Sequence, residues 1–156
     1  MIQEGTTFPN FSLPDQDGNV LTLADLKGKK AVIYFYPKDD TSGCTVEACE
    51  FRDMKQGLED VEGARVLGVS PDSSKSHRKF AEKFSLNFTL LADTEHALCE
   101  AVGVWGEKSM YGKKYMGVFR TTILLDEAGK VFRVFEKVKP EGHAAEVRAA
   151  LAAGAR

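Results

Sequence analysis

Six consecutive residues, Ala31-Val32-Ile33-Tyr34-Phe35-Tyr36, constrain this chain more than any other feature. The run is apolar throughout, rich in β-branched and aromatic side chains, and bounded by the Lys27-Gly28-Lys29-Lys30 turn and by Pro37. A strand with one wet face would alternate between apolar and polar residues. This one does not, so it reads as a central strand buried on both faces. Such a strand needs helices above and below it, and the chain supplies them in alternation. From Cys44 to about Leu58, Val46, Ala48 or Cys49, Phe51 and Met54 recur at roughly helical spacing, with Gly57 near the end. Residues 64–70 predict a second strand, 71–74 a turn and N-cap, and 76–84 a helix with Phe80 and Phe84 on one face. A short strand over 89–92 and a short helix over 95–102 follow, then a glycine- and aromatic-rich surface excursion over 103–117. Residues 120–126 and 131–138 predict a strand pair across a five-residue turn, and 141–153 a final helix whose Ala-rich end, 149–156, frays.

This order predicts an α/β fold with a mixed central sheet flanked by helices, in the thioredoxin-like arrangement. The apolar pieces over 8–26, split by the turn signal Asp15-Gln16-Asp17-Gly18-Asn19, predict an N-terminal hairpin extension packed on the body. A flavodoxin-like sheet begins in the same way, but the tight turn inside 121–138 requires antiparallel pairing late in the chain. A length of 156 residues with 43% hydrophobic content suits one domain over 1–156, with a core that needs neither disulfide staples nor a structural metal.

The charge balance, 21 Lys+Arg against 23 Asp+Glu, leaves a net −2 with no long single-sign block. Nucleic acid and anionic membranes are therefore poor partners. The longest apolar runs fall far short of the ~20 residues of a membrane span, and the start Met1-Ile2-Gln3-Glu4-Gly5 shows no signal peptide. The expectation is a cytoplasmic protein.

An odd, sparse set of three cysteines argues against a secreted disulfide framework. Cys44 falls just past the loop 37–43, beyond the carboxyl end of the central strand, where open α/β sheets gather their reactive groups. Thr41 or Ser42 can cap the following helix, which puts Cys44 in its first turn. There the unpaired N–H groups and the positive end of the dipole favour thiolate over thiol. A small hydrophobic cysteine opening an ordinary helix would satisfy the same pattern. Cys49 lies five residues on, too far for the two-residue spacing of a thioredoxin dithiol. No His or further Cys stands at ligand spacing, so a metal site or bound cofactor has no support. His77, His96 and His143 are scattered and read as surface or cap residues, and Cys99 as a buried apolar filler.

The stretch Phe35-Tyr36-Pro37-Lys38, then Thr41-Ser42-Gly43-Cys44-Thr45-Val46-Glu47-Ala48-Cys49 with Phe51-Arg52-Asp53, resembles the peroxiredoxins, most closely the bacterioferritin-comigratory (Q-type) branch. The resemblance runs over nearly the whole chain and includes Tyr111-Gly112-Lys113-Lys114-Tyr115-Met116-Gly117 and Arg120-Thr121-Thr122. Ser42 stands where many relatives carry Pro. The resemblance implies a thiol-dependent peroxidase acting on hydrogen peroxide and organic hydroperoxides, with Cys44 as the attacking thiol. Thr41 would hydrogen-bond the peroxide, Pro37 would shield the pocket, and Arg120 would set positive charge against thiolate and developing oxygen charge. Glu47 would organise the helix start or face solvent. Cys49 would be the resolving cysteine, since 73–84, where other branch members carry theirs, holds none. Thioredoxin or a similar dithiol would be the reductant, and the protein a monomer. A non-enzymatic thioredoxin-fold binding module is the competing reading, but binding alone needs none of Pro37, Thr41, Cys44 and Arg120.

Overall fold

The computed structural model describes residues 1–154. Its centre is a five-stranded sheet in the order β5-β4-β3-β8-β9, built from β3 (Lys30–Phe35), β4 (Ala64–Ser70), β5 (Thr89–Ala92), β8 (Thr121–Leu125) and β9 (Val131–Phe135). β3, β4 and β5 run parallel, while β8 pairs antiparallel with β3 and β9 antiparallel with β8. The sheet is therefore mixed, and the expected α/β arrangement stands.

The apolar run behaves as its composition requires. Successive side chains of β3 point to opposite faces, so Ala31, Ile33 and Phe35 enter one core and Val32 and Tyr34, followed by Tyr36, enter the other. The first core is closed by α1 (Leu23–Leu26), α4 (Ala97–Val102) and Phe8; the second by α2 (Ser42–Gln56), α3 (Ser74–Phe84) and α5 (His143–Ala153). In the second core Tyr34 stacks on Phe51 of α2 at 4.7 Å and on Tyr36 at 5.3 Å. Gly68 makes room for that stack, because a Cβ there would lie 2.9 Å from the Tyr34 ring and 2.8 Å from Leu90.

Several local expectations are corrected. The N-terminal hairpin is β1 (Ser12–Pro14) with β2 (Val20–Thr22), but the chain then turns helical at Leu23, with Asp25 accepting the Thr22 N–H at 2.8 Å. The excursion over 103–117 is an ordered antiparallel ribbon, β6 (Trp105–Met110) with β7 (Lys113–Val118). On α2 the buried stripe is Cys44, Glu47, Ala48 and Phe51, continued by Leu58 in a π-helical turn over Gly57–Val61; Val46, Cys49 and Met54 are only half-buried. α5 starts at His143 and keeps its Ala-rich turns helical to Ala153. The rest of the expected frayed end, 155–156, lies outside the described residues. Among the described residues, no helix is long and apolar enough to cross a membrane.

Candidate active site

β3 delivers the chain to the loop over 36–41, and Tyr36 extends the ladder by one bond, its N–H donating to the Val69 carbonyl at 3.1 Å. Asp40 adopts a left-handed conformation, φ 57°, which turns the chain into α2. Thr41 is the N-cap in extended geometry, and its carbonyl accepts the Thr45 N–H at 2.8 Å. Its hydroxyl does not cap the helix, contrary to the simplest expectation. It donates back to the Lys38 carbonyl at 3.1 Å and stays exposed at the loop surface.

Cys44 sits in the first turn of α2 and is 1% exposed. Arg120, placed by the start of β8 and pinned by the Val138 N–H donating to its carbonyl at 3.1 Å, crosses to the helix start. Its Nη2 donates to Cys44 Sγ at 3.2 Å and its Nη1 to Glu47 Oε1 at 2.7 Å. One planar guanidinium thus spans a thiol and a carboxylate one helical turn apart, a geometry that an ammonium cannot reproduce.

Glu47 is the residue whose place the sequence left open between helix start and solvent, and it is 1% exposed. Burial pushes its carboxyl up to about 7, against the downward pull of Arg120. Its second oxygen, Oε2, has no hydrogen-bond partner among the described residues. Arg120 itself is half-buried; desolvation opposes its charge, but Glu47 and Cys44 outweigh that and hold it above the ordinary guanidinium range. The signal for Glu47 was available: an acid at the third position after Cys44 falls inside the stripe that buries Ala48 and Phe51.

The structure brings Cys44 and Arg120 together, with Thr41 at the same helix end and half-buried Pro37 earlier in the same loop. Cys49 is not brought to Cys44. It is half-buried further along the intact helix, and all three cysteines are free thiols. Cys99 is fully buried on α4, as expected, and burial raises its thiol far above the ordinary range.

The histidine expectation fails for two of the three. His77 and His143 are buried, His143 donating to or accepting from Thr122 Oγ1 at 2.7 Å, while His96 stands half-exposed at the N-cap position of α4, stacked on Trp105. His77, Asp39 and Asp72 offer nitrogen and oxygen atoms within 4.8 Å of one another, the geometry of a small cation site. Those atoms are already committed to protein hydrogen bonds, so the group is a polar network. Lys108, also not singled out by sequence, donates to the Val118 carbonyl at 2.7 Å over the Phe119 ring. Burial and the neighbouring Arg120 lower its pKa.

A thioredoxin-like sheet with a buried cysteine in the first turn of the helix after its first central strand, held by an arginine from a neighbouring strand, defines a thioredoxin-fold thiol protein. Residues 5–134 match the AhpC/TSA family, and the chain belongs to that family, among its peroxiredoxins of the bacterioferritin-comigratory, or Q, type. It is 48% identical over 142 residues to peroxiredoxin Bcp of Escherichia coli, covering 91% of this chain and 90% of that one. It is 47% identical over 145 residues to peroxiredoxin Bcp of Bacillus subtilis, covering 93% and 92%. It also superposes with a TM-score of 0.88 and 44% identity on the bacterioferritin comigratory protein of Xanthomonas campestris, studied for its alkyl peroxide reduction activity, over 94% of this chain and 92% of that one.

Proposed function

We propose that this protein reduces hydrogen peroxide and organic hydroperoxides through Cys44. The observation that carries the reading is the guanidinium of Arg120 bridging Cys44 Sγ and Glu47 Oε1 at the start of α2. One N–H donor on Cys44 Sγ and a guanidinium charge fixed by Glu47 stand ready where negative charge shifts from sulfur to oxygen, and they need no reorganisation during reaction. The Cys44 thiolate attacks one peroxide oxygen, the O–O bond breaks, and the other oxygen leaves as water or alcohol on taking a proton. Sulfur supplies both electrons and becomes a sulfenic acid, so the step requires no metal or cofactor. Thr41 holds the peroxide from the helix end, and Pro37 walls the pocket. The alkyl peroxide chemistry studied in the Xanthomonas relative supports organic hydroperoxides as substrates here.

In the second step the Cys49 thiol condenses with the Cys44 sulfenic acid, releasing water and forming an intramolecular disulfide. Thioredoxin or a similar dithiol then reduces that bond by exchange. The reading carries with it one domain over residues 1–156 and a cytoplasmic setting, as length and composition suggest, and a monomer, as the family resemblance implies.

The test is peroxide-dependent NADPH consumption in a coupled thioredoxin system. Cys44→Ser should abolish it and Cys99→Ser should leave it largely intact. Substantial turnover by the Cys44→Ser protein would sink the assignment.

A further inference from the structure

The loop between β3 and α2 is tied down by side chains that the thiol chemistry does not use. Asp39, in the middle of that loop, is buried. Its Oδ1 accepts the Tyr36 hydroxyl at 2.6 Å and its Oδ2 accepts the Ser76 hydroxyl at 2.8 Å. Oδ2 also lies 2.7 Å from His77 Nδ1, and the Asp39 N–H donates to Asp72 Oδ2 at 2.8 Å. Asp72 in turn accepts the Ser70 hydroxyl at 2.7 Å. On the far side of the ring, His77 Nε2 stands 2.9 Å from the Leu91 carbonyl. A carbonyl only accepts, so Nε2 carries a proton and donates. Nδ1 therefore faces Asp39, and that hydrogen bond is made whichever of the two atoms holds the shared proton.

These contacts fasten one loop residue to the ends of β3, β4 and β5 and to the first turn of α3. Pro37 stands two residues before Asp39 and Thr41 two residues after it, so one post fixes both. The left-handed turn at Asp40 follows immediately, with α2 starting at Ser42. A loop needs such a post here, because connecting segments are otherwise the most mobile part of a fold. A buried, fully paired polar cluster supplies rigidity that exposed contacts do not.

We propose that Asp39 and His77 are positioning residues for the peroxide reaction: their buried pair holds Pro37 and Thr41 in register with Cys44 and keeps that loop folded while α2 opens. The proposal rests on Cys44 being the attacking thiol. His77 touches no reacting atom; it acts through Asp39 and the loop.

Two substitutions of one residue separate positioning from simple support. The side-chain nitrogen of Asn falls near the place of Nδ1, so His77→Asn keeps the Asp39 bond and loses the Leu91 bond. The nitrogen of Gln falls near Nε2, so His77→Gln keeps the Leu91 bond and frees Asp39. Each deletes one buried hydrogen bond, and their melting temperatures should be similar. The second-order rate constant for Cys44 oxidation by hydrogen peroxide, followed by rapid quenching with a thiol-alkylating reagent and intact mass spectrometry, should fall ~10-fold or more in His77→Gln and remain within ~3-fold of wild type in His77→Asn. In the disulfide form, amide exchange over 36–39 should stay slow in wild type and His77→Asn and become fast in His77→Gln. Ser76→Ala removes one bond from Asp39 at a half-buried position and serves if either histidine variant does not fold; it should slow Cys44 oxidation ~3-fold. A wild-type rate constant in His77→Gln, an equal loss in both histidine variants, or an unchanged rate in Ser76→Ala where that variant is the one measured overturns the proposal. A wild-type protein that does not react with peroxide at Cys44 overturns the functional reading itself, and this proposal with it.

Discussion

Arg120 and Glu47 meet at 2.7 Å in a place where Glu47 is almost wholly withdrawn from water. The pair holds the guanidinium across the start of α2, and its second nitrogen falls on Cys44. Ion pairs this deep are poor sources of stability, because desolvation offsets much of their attraction. The carboxyl of Glu47 shows which effect wins: burial raises it from 4.5 to about 7 despite Arg120.

That shift has a sign in stability. Between about pH 4.5 and 7 the folded protein binds a proton at Glu47 that the unfolded chain has released. Stability from this group is therefore full below the unfolded value and is lost as pH rises through the folded one. Glu47→Gln cannot ionise, so the variant should gain stability relative to wild type across that window, on the order of 3 kcal/mol at its upper end. His143, whose pKa burial lowers, acts in the opposite direction in part of the same range. The informative quantity is thus the difference between variant and wild type in urea denaturation of the reduced proteins. A difference that stays flat with pH would show that Glu47 is ionised throughout.

Arg120→Lys keeps a positive charge but has one nitrogen where two separate contacts are made. Reaching Cys44 would mean leaving Glu47, and the reverse. The second-order rate constant of Cys44 with peroxide should drop ~10- to 100-fold, roughly 1.4–2.7 kcal/mol of transition-state stabilisation. An unchanged constant in stopped-flow measurement would place Arg120 outside the reaction.

Much of this architecture was legible because local signals agreed with it. The strands predicted over 64–70 and 89–92 have those bounds, and the run over 31–36 is displaced by one residue. The β6–β7 ribbon was not legible: beyond its base at Trp105 and Val118 it buries no residue fully, so Lys108, Ser109, Lys113 and Lys114 show no alternation to read. His77 stands between Ser76 and Arg78 like any surface residue, and its burial depends on Asp39, 38 positions away. Arg120 was found through the motif resemblance, since nothing local marks a strand-end arginine as facing a thiol 76 positions earlier.

Cys49→Ser separates the two chemical steps. The variant should reduce one equivalent of peroxide and then stop at the Cys44 sulfenic acid when thioredoxin is the only reductant. With nothing to condense with it, that group should proceed to sulfinic acid under excess peroxide. Intact mass spectrometry reads both stages as successive additions of oxygen. Normal thioredoxin-supported turnover by this variant would move the resolving role elsewhere.

The proposed Cys44–Cys49 disulfide requires a motion of α2. Residues five apart on an intact helix lie on faces about 140° apart, with Cα atoms roughly 8.7 Å from each other. A disulfide needs its Cα atoms within about 7 Å, so Cys44 and Cys49 cannot bond while the helix over Ser42–Gln56 stands. The first turns must open, and they hold the half-buried residues Val46 and Cys49 as well as the buried Cys44 and Ala48. Opening them would also withdraw Cys44 and Glu47 from Arg120, so the proposed disulfide would dismantle the peroxide site until reduction rebuilt it. Local opening of this kind is the low-energy route available to one end of a helix. Oxidation should lower the far-UV helical signal and speed amide exchange across about 43–52, with both effects reversed on reduction. An oxidised protein that carries the Cys44–Cys49 bond yet keeps full helical protection over that stretch would contradict the mechanism.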